Sequence, residues 1–196
     1  MTQPDLFGRA DLPPGFLYRD GLITLTEERE LLSIIAALEF SAVEMRGVVA
    51  RRRTVHYGWT YGYYARRTEP GAPLPEFLRA LRARVAEWAG VPAEAFEEAL
   101  LTEYPSGAPI GWHRDAPMFG DVIAGVSLGS SCRMKFRPYV SPDAAAPGTP
   151  RRTTHEIELA PRSGYLMTGA ARRDYEHHIP PVGGMRYSIT FRSVRR

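Results

Sequence analysis

The sequence predicts an α+β fold in which helices come first and a β-rich half follows, closed as a sandwich or barrel. Two observations predict it. Apolar residues recur at helical spacing from residue 25 to 38 and again after Pro75. After Leu100 that texture gives way to segments of about five to eight residues, alternating or continuously apolar and punctuated by Gly and Pro. The length, 196 residues at 44% hydrophobic and 24% charged, fits one globular domain with a proper core.

Taken in order, GFLYRDGLI (15–23) reads as a short strand. Thr24 and Glu27, three apart, form a capping box, and Leu31, Leu32, Ile34, Ile35 and Leu38 follow on one face, which predicts a helix over about 25–38. FSAVEMRGVVA reads as extended. RRRTVHYGWTYGYYARR is rich in arginine and aromatics and poor in aliphatics, so it is expected to be an irregular hairpin or lid rather than core. A second helix is predicted after Pro75, with Phe77, Leu78, Leu81, Val85 and Trp88 on one face and Gly90 as its stop. A short third helix is expected over Ala93 to Glu98. The strand candidates then run ALLTEY, APIGWHRD, DVIAGVSLG, CRMKFRPY, THEIELA, SGYLMTGA, RDYEHHI and MRYSITFRSV, with VSPDAAAPGTPRR (140–152) as a loop. We expect one domain over 1–196, with helices and lid over about 15–98 and the β core over about 99–194.

Composition narrows the function. MTQPDLFG has neither a basic start nor an apolar run, so no signal peptide is expected. The longest aliphatic run, LLSIIAAL, is too short to span a bilayer. A single cysteine, Cys132, excludes an internal disulfide and multi-cysteine metal sites. A monomer of cytoplasmic location, without membrane contact, is the expectation. Net charge is only +3, but of 25 basic residues Lys135 alone is lysine. The pairs and triplets Arg51–Arg53, Arg66-Arg67, Arg151-Arg152 and Arg172-Arg173 read either as solvated loops or as phosphate-binding sites, because the planar guanidinium donates two parallel hydrogen bonds.

GWHRDAP carries the first chemical signal. In an extended segment His113 and Asp115 point the same way, and a neutral imidazole beside a carboxylate is either a structural hydrogen bond or part of a metal site. A third ligand must come from His56, His155, His177 or His178. DYEHHIPP offers the last two, of which one strand face can use only one. Two histidines and a carboxylate describe the facial triad of non-haem Fe(II) oxygenases, with hydrolytic zinc as the rival, although no HExxH is present. MRYSITFR adds a second signal. It puts Arg186, Ser188, Thr190 and Arg192 on one strand face, an expensive interior without an anionic guest, for which a small dicarboxylate is the natural choice. The two arginines are roughly 20 Å apart along an extended strand, so they share a small ligand only if both lean inward.

GWHRD, EHHIPP and RYSITFR, in this order, resemble the AlkB family of Fe(II)- and 2-oxoglutarate-dependent dioxygenases, over nearly the whole chain from Phe16 to Arg192. The resemblance implies a double-stranded β-helix, or jelly-roll, buttressed by the N-terminal helices. It implies Fe(II) on His113, Asp115 and His177, with His178 as the extra residue. It also implies 2-oxoglutarate with its far carboxylate on Arg186, assisted by Ser188 and by Tyr104 of TEYPSG, while Arg192 supports the iron-proximal end. Dioxygen is the oxidant, and hydroxylation of an N-methyl group followed by loss of formaldehyde gives net demethylation.

The resemblance further implies an alkylated nucleic acid as partner, single-stranded or with its base flipped out, and DNA repair as the setting. Trp59, Tyr61 and Tyr63 are the aromatic candidates to stack on the base, with Arg53 and its neighbours on phosphates. The residues after HxD, Ala116, Pro117, Met118 and Phe119, are apolar where nucleobase demethylases of the family commonly carry acids. That departure keeps two alternatives in view. One is the same chemistry on a protein, tRNA or small molecule; the other is a non-catalytic jelly-roll that binds nucleic acid.

Overall fold

The computed structural model describes residues 12–45, 47–62, 67–141 and 153–195, without the side chains of 45, 60–62, 67 and 68. The N-terminal part comprises β1 (Phe16–Arg19), α1 (Leu25–Ile35), β2 (Ser41–Met45), β3 (Val48–Gly62), β4 (Arg67–Pro70) and α2 (Arg79–Ala89). Then follow β5 (Glu98–Tyr104), β6 (Ile110–His113), β7 (Phe119–Gly129), β8 (Cys132–Pro138), β9 (His155–Leu159), β10 (Gly164–Met167), α3 (Gly169–Arg173), β11 (Tyr175–Ile179) and β12 (Arg186–Val194). The pairings are antiparallel throughout and make two sheets: a larger one ordered β1-β10-β7-β12-β5-β3-β2, with β4 on β3, and a smaller one ordered β6-β11-β8-β9. This is the jelly-roll expected, and the larger sheet draws strands from both sides of residue 98.

Strand parity sorts the larger sheet into two faces. Leu101, Ala124, Val126, Leu128, Ile189 and Phe191 face outward and are buried under Leu31 and Ile35 of α1 and Leu81 and Val85 of α2. The alternate residues face the smaller sheet, where Phe16, Ile123, Met134, Phe136, Tyr165 and Met167 form a second apolar layer. Gly125 is required there. A Cβ on it would lie 2.1 Å from the Tyr165 ring, which crosses the sheet at that point.

α1 starts where the sequence puts it. Thr24 Oγ1 accepts from the Glu27 amide at 3.2 Å, and the Thr24 amide donates to the Glu27 carboxylate at 2.7 Å. The same carboxylate takes two bonds from Arg84 of α2, at 2.6 and 3.1 Å, which locks the two helices together. Glu28 reaches the other way, accepting from the Gly129 amide at 2.9 Å and from Arg162 at 2.8 Å, and so pins α1 to the sheet. Arg84 and the capping amide lower the Glu27 pKa from 4.5 to about 2. A depressed folded-state pKa stabilises above the unfolded value, and that stability is lost as pH falls from 4.5 towards 2. Glu27→Gln is therefore expected to cost about 0.5–1 kcal/mol at neutral pH, with the melting gap to wild type closing as the pH is lowered through this window. A gap independent of pH would assign the loss to packing rather than charge.

Three expectations are corrected. Ala93 to Glu98 is not a helix but a single 3-10 turn, Ala93–Ala95. Phe96 is drawn fully into the core and Glu98 already starts β5, paired on both sides by β3 and β12. Gly169 and Ala170, expected to end one strand, and Arg173, expected to start the next, lie in α3. The arginine- and aromatic-rich stretch from 51 onward is not an irregular lid at its start. Arg53 to Gly58 pair residue for residue with β5, and Val55 and Tyr57 pack on the helix-side core. Residues 63–66 and 142–152 lie outside the described residues.

Candidate active site

The interior face of the larger sheet and the β6–β11 edge of the smaller one enclose a cavity of about 560 Å³. That is ample for a small dicarboxylate and part of a second ligand. Period-two alternation supplies its walls: Ser188, Thr190 and Arg192 from β12, Thr102 and Tyr104 from β5, and Arg52, Thr54 and His56 from β3.

His113, Asp115 and His177 meet at one side of it. β6 and β11 pair with His113 directly opposite His177, and the ring centroids are 4.1 Å apart. Asp115, two residues on, brings Oδ2 to 3.7 Å from His177 Nε2. His113 Nδ1 donates to the Gly111 carbonyl at 2.8 Å, which leaves the Nε2 lone pair as the one available for coordination. Burial, then the neighbouring His113, pushes the His177 pKa down to about 3, so that imidazole is neutral at physiological pH. Burial works against the Asp115 charge, but Arg192, then His177 and His113, outweigh it and hold the carboxyl well below the usual carboxylate range. His178 turns away: its Nδ1 meets the Ile110 carbonyl at 2.6 Å and its ring lies 5.1 Å from that of Trp112.

Two neutral imidazoles and a lasting carboxylate fit a ferrous ion in kind. The fit is not yet one of distance. Among the described residues no three such side chains stand close enough to hold a metal. Asp115 Oδ1 lies instead 2.6 Å from Arg192 Nη2.

The two arginines of β12 sit at different places and do different things. Arg186 is fully buried; its Nε and Nη2 donate to Ser127 Oγ at 3.1 and 2.9 Å, and its guanidinium carbon lies 5.0 Å from the centre of the Tyr104 ring. Its Nη1 has no hydrogen-bond partner. A buried guanidinium donor left over fits an anionic guest. Ser188 lines the cavity one step along the same face, but the hydroxyl that meets Arg186 is that of Ser127, which sequence reasoning missed. Arg192 bridges Asp115 and the wholly buried Glu98, its Nη1 lying 2.9 Å from Glu98 Oε2, and His56 Nδ1 stands 3.4 Å from the other Glu98 oxygen.

The residues of the expected substrate lid are placed as follows. Arg53 faces out and pairs with Glu103 at 2.7 Å; its neighbour Arg52 faces the cavity, a one-residue difference that strand parity makes decisive. Trp59 does not line the cavity. Gly58, at φ +78°, breaks the alternation just before it, and its absent Cβ makes room for the Glu97 carbonyl. The Tyr61 side chain and Tyr63 lie outside the described residues. Trp112, flanked by Arg137 at 4.2 Å and by His178, is an aromatic that the cavity wall does contain.

Arg172, read above as part of a solvated loop or a phosphate-binding site, is buried. It donates to the Asp115, Ala116, Phe119 and Gly120 carbonyls at 2.9–3.3 Å and so clamps the loop that carries Asp115. Arg172→Met is expected to leave four carbonyls unanswered and to cost about 3 kcal/mol, roughly 10 °C in a chain of this size. Scanning calorimetry checks it, and a melting point unchanged within about 2 °C would remove the clamp from the account.

Comparison with known proteins agrees with this geometry. The family model described as 2OG-Fe(II) oxygenase superfamily matches residues 36–192. The chain belongs to that superfamily. Its cofactors are therefore Fe(II) and 2-oxoglutarate, with dioxygen as oxidant, and the chain is an oxygenase. The AlkB resemblance is borne out by relatives. An Arabidopsis thaliana protein named alkylated DNA repair protein ALKBH8 homolog is 28% identical over 93% of this chain and 56% of its own length. A Mus musculus protein named tRNA (carboxymethyluridine(34)-5-O)-methyltransferase ALKBH8 is 27% identical over 96% of this chain and 32% of its own length. The chain thus spans about half the length of the first of these relatives and a third of the second. Among solved structures, that of OsALKBH1 superposes with a TM-score of 0.67 at 12% identity, over 93% of this chain and 99% of that one. A Pseudomonas putida prolyl-4-hydroxylase superposes with 0.60 at 16% identity, over 93% of each; these two likenesses concern the fold alone.

Proposed function

We propose that this oxygenase removes N-alkyl groups from nucleobases in DNA or RNA, with iron held by His113, Asp115 and His177 and the far carboxylate of 2-oxoglutarate held by Arg186. The observation that carries the reading is the meeting of two neutral imidazoles and one carboxylate on a cavity lined by Tyr104, with the buried, incompletely bonded guanidinium of Arg186 5.0 Å from the centre of that ring. When bound, iron with 2-oxoglutarate and dioxygen supplies the oxidation: one oxygen atom enters a substrate C–H bond, the other enters succinate, and CO₂ leaves. The chain's own groups do the placing. Arg192, itself paired with Glu98, balances the Asp115 charge, and Arg172 fixes the loop that carries Asp115. Tyr104 and Ser188 offer hydroxyls beside the co-substrate, and the apolar layer of Ile123, Met134 and Phe136 keeps water from that end. Hydroxylation of an N-methyl group gives a hemiaminal, which releases formaldehyde and restores N–H.

Support for a nucleic acid comes from the two ALKBH8-named relatives, one named for alkylated DNA repair and the other for tRNA. The second name, with the apolar run Ala116 to Phe119 after the metal motif, favours RNA as the second reading. One chain supplies every group named, so the acting unit proposed is a monomer. Its one cysteine, buried and unpaired, suits a reducing compartment, the cytoplasm. The test is incubation of iron-reconstituted protein and 2-oxoglutarate with methylated DNA and RNA oligonucleotides, followed by assay for formaldehyde and for a mass loss of one methylene. Succinate without demethylation of any oligonucleotide would reject nucleobases as substrate and keep the chemistry.

A further inference from the structure

A second concavity, of about 430 Å³, lies against the loop that carries Asp115. Its walls present four guanidiniums, Arg114, Arg172, Arg173 and Arg195, and one carboxylate, Asp115, whose charge Arg192 already balances. Ala116 and Pro117 complete it. The four arginines converge from separate parts of the chain: the metal-motif strand end, α3 and the C-terminal end of β12. The fold holds them in place. Arg114 lies 3.5 Å over the Tyr139 ring and donates to the Arg173 carbonyl at 3.2 Å; Arg172 is fixed by its four carbonyls. Arg173 and Arg195 both lean on the single carboxylate of Asp121, at 3.6 and 2.5 Å, and each is about half exposed. Arg114 and Asp115 line both this groove and the catalytic cavity, so the two adjoin.

The geometry points to a phosphodiester-binding groove, one that seats the backbone beside a nucleotide whose base occupies the catalytic cavity. This rests on the nucleic-acid reading above and adds to it where the strand runs. Guanidinium forks suit phosphate oxygens, and a groove with excess positive charge adjoining a base-sized cavity places that charge beside the path of the flanking phosphate. It also assigns a purpose to Arg173 and Arg195, which the catalytic cavity does not use, and makes Asp121 the counter-charge that a phosphate displaces.

The experiment is binding of a fluorescent single-stranded oligonucleotide, and of an acidic peptide of matched net charge, across a salt series from about 50 to 200 mM. Wild type is expected to bind the oligonucleotide with a steep salt slope. The double variant Arg173→Gln/Arg195→Gln should lower that slope by about 1.4, two contacts at about 0.7 each on a single strand, while Arg173→Lys/Arg195→Lys keeps it. Asp121→Asn, which removes the counter-charge and nearly keeps the side chain's shape, should tighten binding, and it keeps the inference testable if the glutamine pair folds poorly. An unchanged slope in the glutamine pair, or an Asp121→Asn protein that binds no tighter, overturns the groove and leaves the nucleobase reading intact. Equal capture of the acidic peptide through the same arginines overturns it in favour of a protein ligand. A wild type that binds no oligonucleotide at any salt overturns the nucleobase reading itself.

Discussion

Replacing His177 with alanine is expected to abolish iron-dependent conversion of 2-oxoglutarate to succinate, and replacing its neighbour His178 to preserve it. The two residues are chemically identical and adjacent, so the contrast is a test of position alone. His177 is buried opposite His113 with its Nε2 towards Asp115, and burial keeps it neutral and able to donate a lone pair. His178 spends Nδ1 on the Ile110 carbonyl and its ring on Trp112. Loss of a partner that merely orients a ligand costs roughly 10–100-fold in metal affinity, so loss of a ligand should exceed about 100-fold. Cobalt(II) titration monitored in the visible range reads that loss directly, without turnover. His113→Ala and Asp115→Ala should behave as His177→Ala does. If His178→Ala were the variant that lost metal, the register between β6 and β11 would have to differ by one residue.

How this much could be anticipated from sequence is a matter of which constraints are local. The β12 face of Arg186, Ser188, Thr190 and Arg192 follows from a period of two, and burial of Ile189 and Phe191 on the other face fixes the phase. The capping box of α1 spans four residues and needs nothing else. β3 failed as a strand candidate because what makes it one is distant. Its arginine and aromatic residues look unsuited to a sheet until Glu98 and Glu103, more than forty residues on, are placed beside His56 and Arg53. The same distance hid Arg172: nothing in TGAARRD says that one guanidinium will be buried against a loop more than fifty residues earlier. Which of Arg52 and Arg53 faces the cavity was not legible. A run of three identical residues carries no phase, and only pairing with β5 supplies it.

Arg186→Met should raise the KM for 2-oxoglutarate by at least about 30-fold while leaving metal affinity unchanged. Truncating one side of a buried, charge-assisted contact costs about 2–5 kcal/mol, and 1.4 kcal/mol is roughly a factor of ten. Methionine nearly fills the space of the arginine stem, so the substitution exchanges a buried charge for apolar volume. Such exchanges are often neutral for stability, which makes a binding defect separable from a folding one by calorimetry on the same sample. The prediction also discriminates between the two arginines of β12. Arg192 is engaged by Asp115 and Glu98, whereas Arg186, fully buried beside the Tyr104 ring that lines the cavity, keeps Nη1 without a hydrogen-bond partner. Arg192→Met should therefore act mainly on metal binding, through Asp115, and Arg186→Met mainly on the co-substrate. Should the two phenotypes come out reversed, the oxoacid would lie the other way round, with its far carboxylate beside Glu98. A buried carboxylate that close would repel it, and this repulsion is the physical reason to expect the orientation proposed.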